Sequence, residues 1–279
     1  IAQMQQARLD VTGMQSQYQS DLQVFNRATV PQDFQNLSTL LNAQYQQAVV
    51  TSIVALPYVS AAKLSAFKTQ VGLLKTYGMD ASAYQTRLDA DQAVMSKAKT
   101  INDYLAFSKQ IDADIASMHD DLVQGEAQYL VKQFHQEVDS WAHAHPFHDS
   151  FDNNTYWLDN GYMGPGVGSD LDQELSSAYT PSDYQSVIDD VNNAFFNLHM
   201  LEADYNDKTP YNQVHATDMQ LLQHYNLQKG QVLMVSLVEQ ALRLYQDGKL
   251  VRSFLVTTGR QELPAVPGVW SVLNRQSPT

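Results

Sequence analysis

Apolar residues recur every three or four positions through most of the chain, which is the spacing of amphipathic helices. Such stripes lie at residues 9–25, 34–45, 84–118, 129–141 and 184–201. The stripe at 84–118 is long enough for one long helix or for two helices end to end. From Gly230 onward the pattern changes to short β-rich runs, at 232–237, 241–245, 250–257 and 269–273. These runs predict four strands, and Asp247-Gly248 predicts a two-residue hairpin turn between the second and the third.

The two patterns predict a mostly α protein with two domains. A helical-bundle domain covers residues 1–229, and a partial all-β domain covers residues 230–279. Glycine and proline interrupt the helical pattern at 143–179, which predicts an irregular loop there. Four strands alone would leave an apolar sheet face exposed, so we expect more chain or a packed neighbour to cover it.

Composition narrows the functional classes. The 279 residues carry a formal net charge of −13, with +2 after residue 229 and −15 before it. This acidity argues against nucleic acid as a partner and against binding of anionic lipid through the overall field. The chain has 44% hydrophobic residues, which is typical of a globular protein, and no Cys. Disulfides, thiolate metal sites and a Cys nucleophile are therefore excluded within these residues.

The longest uncharged apolar run lies in the N-terminal half, at residues 48–62. It is shorter than the ~20 residues that a membrane-spanning helix needs, and it contains Pro57. It predicts a buried core helix kinked at Pro57, with peripheral membrane contact as the alternative. Because the chain begins with Ile1 instead of Met, we expect a processed or trimmed product, with room for a membrane anchor upstream of Ile1. Few lysines and many amide side chains favour an exported protein.

A short motif recurs where helices are predicted to begin. Residues 31–35 (Pro-Gln-Asp-Phe-Gln) match residues 181–185 (Pro-Ser-Asp-Tyr-Gln), and residues 80–85 form a looser third copy. Thr180 can cap the helix N-terminus, the following proline suits the first helical position, and Asp183 completes a capping box. Shared capping chemistry explains the motif, and a duplicated helical hairpin is the alternative.

Residues 231–272 resemble the opening of an L,D-transpeptidase catalytic domain of the YkuD type. That family begins with a strand, a Gln-rich turn, a strand ending in an aromatic residue, an Asp-Gly-type hairpin and a strand leading to Thr-Gly. The corresponding residues here are 231–251, followed by Val256-Thr257-Thr258-Gly259-Arg260. The family then has a Pro-Thr-Pro-x-Gly loop. This chain has Pro264-Ala265-Val266-Pro267-Gly268, with the Thr replaced and one residue added, and residues 268–272 match the strand that follows.

The resemblance implies an exported, cell-wall-facing enzyme that transfers acyl groups in peptidoglycan. In that family a Cys thiolate, activated by a His, attacks a tetrapeptide stem, D-Ala leaves, and a stem amine accepts the acyl group. The family's Ser-His-Gly-Cys motif lies downstream of the Pro-Gly loop, so we expect it beyond Thr279. The sequence therefore assigns no catalytic, cofactor-binding or metal residue here, and we expect this segment to be inactive alone. Its partners would be peptidoglycan stem peptides. A non-enzymatic envelope or surface protein with a helical stalk or binding module is the alternative.

A third hypothesis is a metal site in the segment His-Ala-His-Pro-Phe-His-Asp at 143–149. Imidazoles this dense bind transition metals, and His143 and His145 could both reach one ion from an extended segment. The spacing matches no strong zinc pattern, so a solvated loop carrying His143, His145 and His148 is the simpler interpretation.

Aromatic residues beside this segment raise a related hypothesis. Tyr156, Trp157 and Tyr162 would either line a glycan-binding surface or fix the loop onto the helices. The glycine-rich residues 164–168 follow no predicted strand and precede no Lys-Ser/Thr pair, which argues against a phosphate-binding loop.

Overall fold

Helices form most of the protein and a small antiparallel sheet follows them, which confirms the predicted mostly α architecture. The computed structural model describes residues 1–6, 9–149, 153–157, 161–162, 166–259 and 265–273. The chain divides into two compact units, residues 1–125 and 126–279. Residue 230, the predicted domain boundary, marks the change from helix to strand inside the second unit.

The first unit is built from helices. They are α1 (Ala2–Gln6), α2 (Thr12–Arg27), α3 (Pro31–Thr76), α4 (Ser82–Lys97), α5 (Ile101–Ser117) and the start of α6 (His119–Ala144). The apolar stripe at 84–118 is thus two helices, α4 and α5, which pack against each other. They separate because Ala98, at the C-terminal end of α4, adopts an extended conformation and Thr100 caps the next helix.

The core of the first unit joins the second half of α3 to α4 and α5. Its buried side chains are Phe67, Val71, Leu74, Ala81, Leu88, Phe107, Ile111 and Met118. Those of α3 recur at helical spacing and therefore share one face. Burial of each large apolar side chain contributes about 1.5–3 kcal/mol. At the edge of this core, Lys63 Nζ lies 2.6 Å from Asp112 Oδ2.

The run at residues 48–62 is helical through Pro57 but buries only one face, so the predicted buried core helix is correct for that face alone. Ser52, Leu56 and Ser60 are buried, whereas Val54 is 61% exposed and Tyr58 is 76% exposed. The helices that pack against α3, namely α2, α4 and α5, leave its other face exposed. Among the described helices, α3 is the one long and apolar enough to cross a membrane by length and composition.

Three helical hairpins in the chain share the same turn chemistry. In each, an alanine ends the first helix, and an aspartate at the third position of the next helix accepts hydrogen bonds from two backbone N–H groups of the turn. The alanines are Ala28, Ala98 and Ala178, and the aspartates are Asp33, Asp103 and Asp183. The predicted capping box at 181–185 is confirmed. At 31–35 the N-cap is Val30, which has no side-chain acceptor, so only the Asp33 half of the box forms. The third copy lies at 100–104 and not at 80–85.

The first two hairpins, α2–α3 and α4–α5, correspond at a constant offset. Asp21 in α2 and Asp91 in α4 occupy equivalent positions, and both are buried with an Oδ2 atom that has no hydrogen-bond partner. The residues that precede the two hairpins also make the same backbone hydrogen bond. The N–H of Leu9 donates to the Met4 carbonyl at 2.9 Å, and the equivalent bond from Met79 has the same length. These matches support the duplicated hairpin that the repeated motif suggested as an alternative.

The second unit combines helices with two small sheets. Its elements after α6 are β1 (Phe147–Asp149), β2 (Asn154–Tyr156), α7 (Val167–Ser177), α8 (Pro181–Asn206), α9 (Ala216–His224), β3 (Gln231–Ser236), β4 (Ala241–Gln246) and β5 (Lys249–Leu255). The stretch predicted to be irregular, 143–179, therefore contains a short antiparallel pair and a helix.

Three of the four predicted strands form an antiparallel sheet in the order β3-β4-β5. Asp247 and Gly248 join β4 to β5 with φ values of 50° and 73°, which are the positive angles of the predicted two-residue turn. The fourth prediction is wrong, because residues 269–273 form no strand. A β-rich run becomes a strand only where a neighbour pairs with its backbone, and Leu273 is 96% exposed.

The two faces of this sheet differ in their surroundings. On β4, Ala241, Arg243 and Tyr245 alternate with their neighbours and are fully buried. On the opposite face, Leu233 and Phe254 are each about half exposed. One face of the sheet is therefore packed, and the other presents apolar side chains to solvent.

Candidate functional site

A buried group of charged residues lies where β4 faces α9. Arg243 Nε and Nη2 donate to the two carboxylate oxygens of Asp218, the second at 3.0 Å, and Nη1 donates to Glu239. Arg243 is fully buried and Asp218 is 2% exposed. The alternation of β4 turns Arg243 inward, and helical spacing places Asp218 on the buried face of α9.

Burial and neighbouring charges shift the pKa values of two groups in this cluster, Arg243 and Tyr245. Burial opposes the charged guanidinium, but its hydrogen bonds to Asp218 and Glu239 and the negative charges of these carboxylates raise the pKa of Arg243 above its ordinary value. Tyr245 donates to Asp218 Oδ2 at 2.7 Å. Burial, and then this hydrogen bond, raise the pKa of the Tyr245 hydroxyl. Arg243 therefore stays charged and Tyr245 stays neutral near pH 7.

A second carboxylate, Asp204 near the C-terminal end of α8, lies at the other side of the cluster. Its Oδ2 accepts a hydrogen bond from Ser236 Oγ at 2.5 Å, and its Oδ1 accepts one from Thr217 Oγ1 at 3.4 Å. Because Ser236 ends β3 and Thr217 lies in the first turn of α9, the Asp204 side chain connects α8, α9 and the sheet.

His215 precedes α9 and lies among three carboxylates. Its Nδ1 atom is 3.1 Å from Asp207 Oδ2 and 3.6 Å from Asp204 Oδ1, and its Nε2 atom is 3.5 Å from Glu239 Oε2. The side chain has no exposed surface, and Nδ1 makes no hydrogen bond of normal geometry. The backbone N–H of Thr209 donates to Asp207 and lowers the pKa of that carboxyl, with a smaller contribution from His215.

Two groups among the described residues have the composition of a metal site. One is Asp204, Asp207 and His215, whose candidate ligand atoms lie within 4.8 Å of one another. The other is Glu137, His199 and Glu202. In the second group the imidazole is half exposed and already bonded, with His199 Nε2 at 2.7 Å from Glu137 Oε1.

The histidine-rich segment offers no comparable group within the described side chains. His145 Nδ1 is bonded to the Trp141 carbonyl at 2.8 Å, and its ring stacks on Trp141 at 4.7 Å. His148 is exposed and lies 3.4 Å from Thr155 Oγ1. The side chain of His143 lies outside the described part, so the metal hypothesis for this segment stays a prediction.

The aromatic residues next to this segment differ in burial. Tyr162 is 2% exposed and its ring lies 6.1 Å from that of Phe134, whereas Trp157 is 40% exposed. Gly168 packs directly against the Tyr162 carbonyl, where a side chain would collide. Tyr162 thus holds the chain onto a helix, as the simpler interpretation proposed. The side chain of Tyr156 and residues 163–165 lie outside the described part.

The residues of the charged cluster were missed at the level of sequence, although the pattern contained two signals. Asp204 follows Leu198 and Leu201 in the apolar stripe of α8, so helical spacing already placed it on the buried face. Arg243 similarly alternates between Ala241 and Tyr245 in a strand. A charged residue in an apolar stripe needs a partner, but the sequence does not say which.

Comparison with known proteins gives no match: no family model, curated protein or solved structure is similar to this chain.

Proposed function

We propose that residues 231–272 are the opening part of an L,D-transpeptidase-type catalytic domain and that the whole protein modifies or cross-links peptidoglycan at the cell envelope. The observation that carries this proposal is the β3-β4-β5 meander with its two-residue Asp247-Gly248 turn. It has the strand order and the hairpin expected from the resemblance, in the same order along the chain.

The exposed face of the sheet gives additional support. Cross-strand pairing puts Leu233, Val235, Leu242, Leu244 and Phe254 on this face. An isolated apolar face of this kind is uncommon on a soluble protein and indicates a surface that something covers. A catalytic domain that continues beyond these strands would cover it.

The proposed chemistry places the nucleophile outside these residues. The chain contains no Cys, so a Cys supplied elsewhere in the protein would form the acyl-enzyme with a peptidoglycan stem peptide. No cofactor is required for such an acyl transfer. The helices would serve as a stalk or as a module that positions the catalytic domain on an exported protein.

A non-enzymatic envelope protein is the rival proposal, and the exposed apolar face of α3 favours it. Tyr45, Val50, Val54 and Tyr58 are each more than half exposed, which suits a surface that binds another molecule. This proposal keeps the helical module as a stalk or binding element and requires no catalytic Cys.

Intact mass spectrometry of the full reading frame, with and without a carbapenem such as imipenem, separates the two proposals. The transpeptidase proposal expects a mass well above 31.3 kDa and a single covalent adduct, which a Cys→Ser variant of the adducted residue loses. A reading frame without a Ser-His-Gly-Cys motif, or a full-length protein that forms no adduct, would overturn it in favour of the envelope protein.

A further inference from the structure

The connection between α8 and α9 brings together two carboxylates and an imidazole. We propose that Asp204, Asp207 and His215 bind one divalent transition-metal ion, with Zn²⁺ the best match. The proposal concerns the helical part and does not depend on the transpeptidase proposal.

The orientation of His215 is the first argument. Its Nε2 atom lies 3.3 Å from the Pro210 carbonyl and can donate its proton there. Nδ1 then carries the lone pair, and it faces carboxylate oxygens of Asp204 and Asp207. A lone pair facing two anionic oxygens is repelled unless a cation lies between them. Metal-bound histidines are held in this way, with the second ring nitrogen donating to a carbonyl or carboxylate.

A proton on Nδ1 is the other cation to consider. It would be expected to point along a hydrogen bond to one carboxylate. The nearest oxygen, Asp207 Oδ2, is within reach at 3.1 Å, but the pair lacks the alignment of a normal N–H hydrogen bond. A buried imidazole nitrogen that faces two carboxylates without an aligned hydrogen bond has the surroundings of a metal ligand.

The distances suit a tetrahedral ion. Zinc binds histidine nitrogen and carboxylate oxygen at about 2.0–2.2 Å, which places neighbouring tetrahedral ligand atoms about 3.4 Å apart. The two separations from His215 Nδ1, 3.1 Å to Asp207 and 3.6 Å to Asp204, lie on either side of that value, and all three candidate ligand atoms lie within 4.8 Å of one another. Mixed nitrogen and oxygen ligands favour Zn²⁺ and its neighbours over Ca²⁺ or Mg²⁺.

The carboxylates gathered in this region also favour a bound divalent ion. Asp204, Asp207, Asp218 and Glu239 bring four carboxylates to this region, and Arg243 is bonded to the last two. Among the described residues, no lysine or arginine pairs with Asp204 or Asp207, and the ionisable group that faces them is the His215 imidazole. Burying such charge is costly unless it is paired or bound to a metal. A divalent ion would neutralise both and hold the connection at 207–215 closed.

The experiment is a Zn²⁺ titration by calorimetry of the 279-residue protein after removal of metal by EDTA and dialysis, repeated with Co²⁺ to read ligand geometry from its visible absorption. The expected result is one ion per chain and a tetrahedral Co²⁺ spectrum. Asp207→Asn keeps the oxygen that accepts the Thr209 N–H and removes the charge. Since changes even in the outer shell of a metal site weaken binding about 10–100-fold, this variant should bind at least about tenfold more weakly.

The chain offers a matched control in Asp80→Asn. Asp80 Oδ1 accepts the Ser82 N–H at 2.9 Å, and Asp207 Oδ1 accepts the Thr209 N–H at 2.8 Å, so the two aspartates form the same local turn. Asp80→Asn should keep wild-type affinity, and circular dichroism should show both variants folded. Absence of one-ion binding, or unchanged affinity in Asp207→Asn, overturns the proposal. Loss of binding in His145→Ala alone also overturns it, because the ion would then lie in the histidine-rich segment.

Discussion

Arg243 on β4 and Asp218 on α9 form a bidentate ion pair from which solvent is excluded. The pair connects the sheet to the helices of the second unit. Buried pairs repay their desolvation only when geometry and hydrogen bonding are complete, and here Glu239 and Tyr245 provide the additional bonds. Removal of one member leaves a buried charge without its partner.

We expect Arg243→Met to destabilise the protein by about 3–5 kcal/mol, because Asp218 keeps a buried negative charge that only Tyr245 still binds. Urea unfolding followed by circular dichroism measures this change. Arg252→Met is the control: Arg252 is exposed on β5, and surface substitutions usually change stability by less than about 0.5 kcal/mol. Equal effects of the two variants would contradict the role given to the buried pair.

Two glycines, one in the β4–β5 turn and one inside α3, should respond in opposite ways to substitution by alanine. Gly248 has a φ of 73°, so Gly248→Ala should cost about 1–2 kcal/mol because a Cβ atom is strained in that conformation. Gly72 lies inside α3 with open space around it, so Gly72→Ala should stabilise by about 0.5–1 kcal/mol. Thermal unfolding of the two variants checks the signs. A stabilising Gly248→Ala would mean that the turn differs from the one described.

The capping box of α8 predicts a pH-dependent contribution to stability. Backbone N–H donation from Tyr179, and then the hydroxyl and N–H of Thr180, lower the pKa of Asp183. The stabilisation is therefore complete above the unfolded pKa of about 3.9 and is lost as the pH falls through the lower folded value. Asp183→Asn should be less stable than wild type at pH 7, and the difference should shrink in acid.

Urea unfolding of wild type and Asp183→Asn at pH 7, 4 and 2 measures that difference. Asp189→Asn is the control: Asp189 lies on an exposed face of the same helix, where it accepts a hydrogen bond from the Gln185 side chain and caps no helix. A difference that stays constant down to pH 2 would show that the carboxylate charge is not the source of the capping energy.

Asp91 should give stability the opposite pH dependence from Asp183. It is buried, and burial, with the nearby Asp114 charge, raises its pKa. A raised carboxyl pKa means that stability is greatest below the unfolded value and is lost as the pH rises through the folded one. We therefore expect Asp91→Asn to raise the unfolding midpoint at pH 7 and to have no effect near pH 3. Asp89→Asn, on the exposed side of α4, is the comparison. A lower midpoint for Asp91→Asn at pH 7 would contradict this reasoning.

Local patterns predicted much of the fold. The helical stripes, the capping box at 181–185 and the Asp247-Gly248 turn depend on residues close in sequence, so their signals are present in the chain itself. Residues 48–62 show the limit of that reasoning. Their apolar composition predicts a helix, but which face of it is buried depends on where the partner helices pack.

The candidate metal site was even harder to predict from local sequence patterns. Asp204, Asp207 and His215 are separated by a connection whose path the sequence does not specify, so their spacing signals no site. The histidine-rich segment had the more conspicuous composition, yet its His145 is bonded to a backbone carbonyl. Proximity of ligand atoms arises from packing, which composition does not encode.

The sequence by itself determined the helical character, the lack of Cys within these 279 residues, the acidic charge and the shape of the β4–β5 turn, because each depends on composition or on neighbouring residues. Only the tertiary structure decided that Arg243 meets Asp218, that the Nδ1 atom of His215 faces two carboxylates, and that residues 269–273 lack a strand partner. These outcomes join or separate residues that lie far apart in the chain, and they follow from which surfaces pack together.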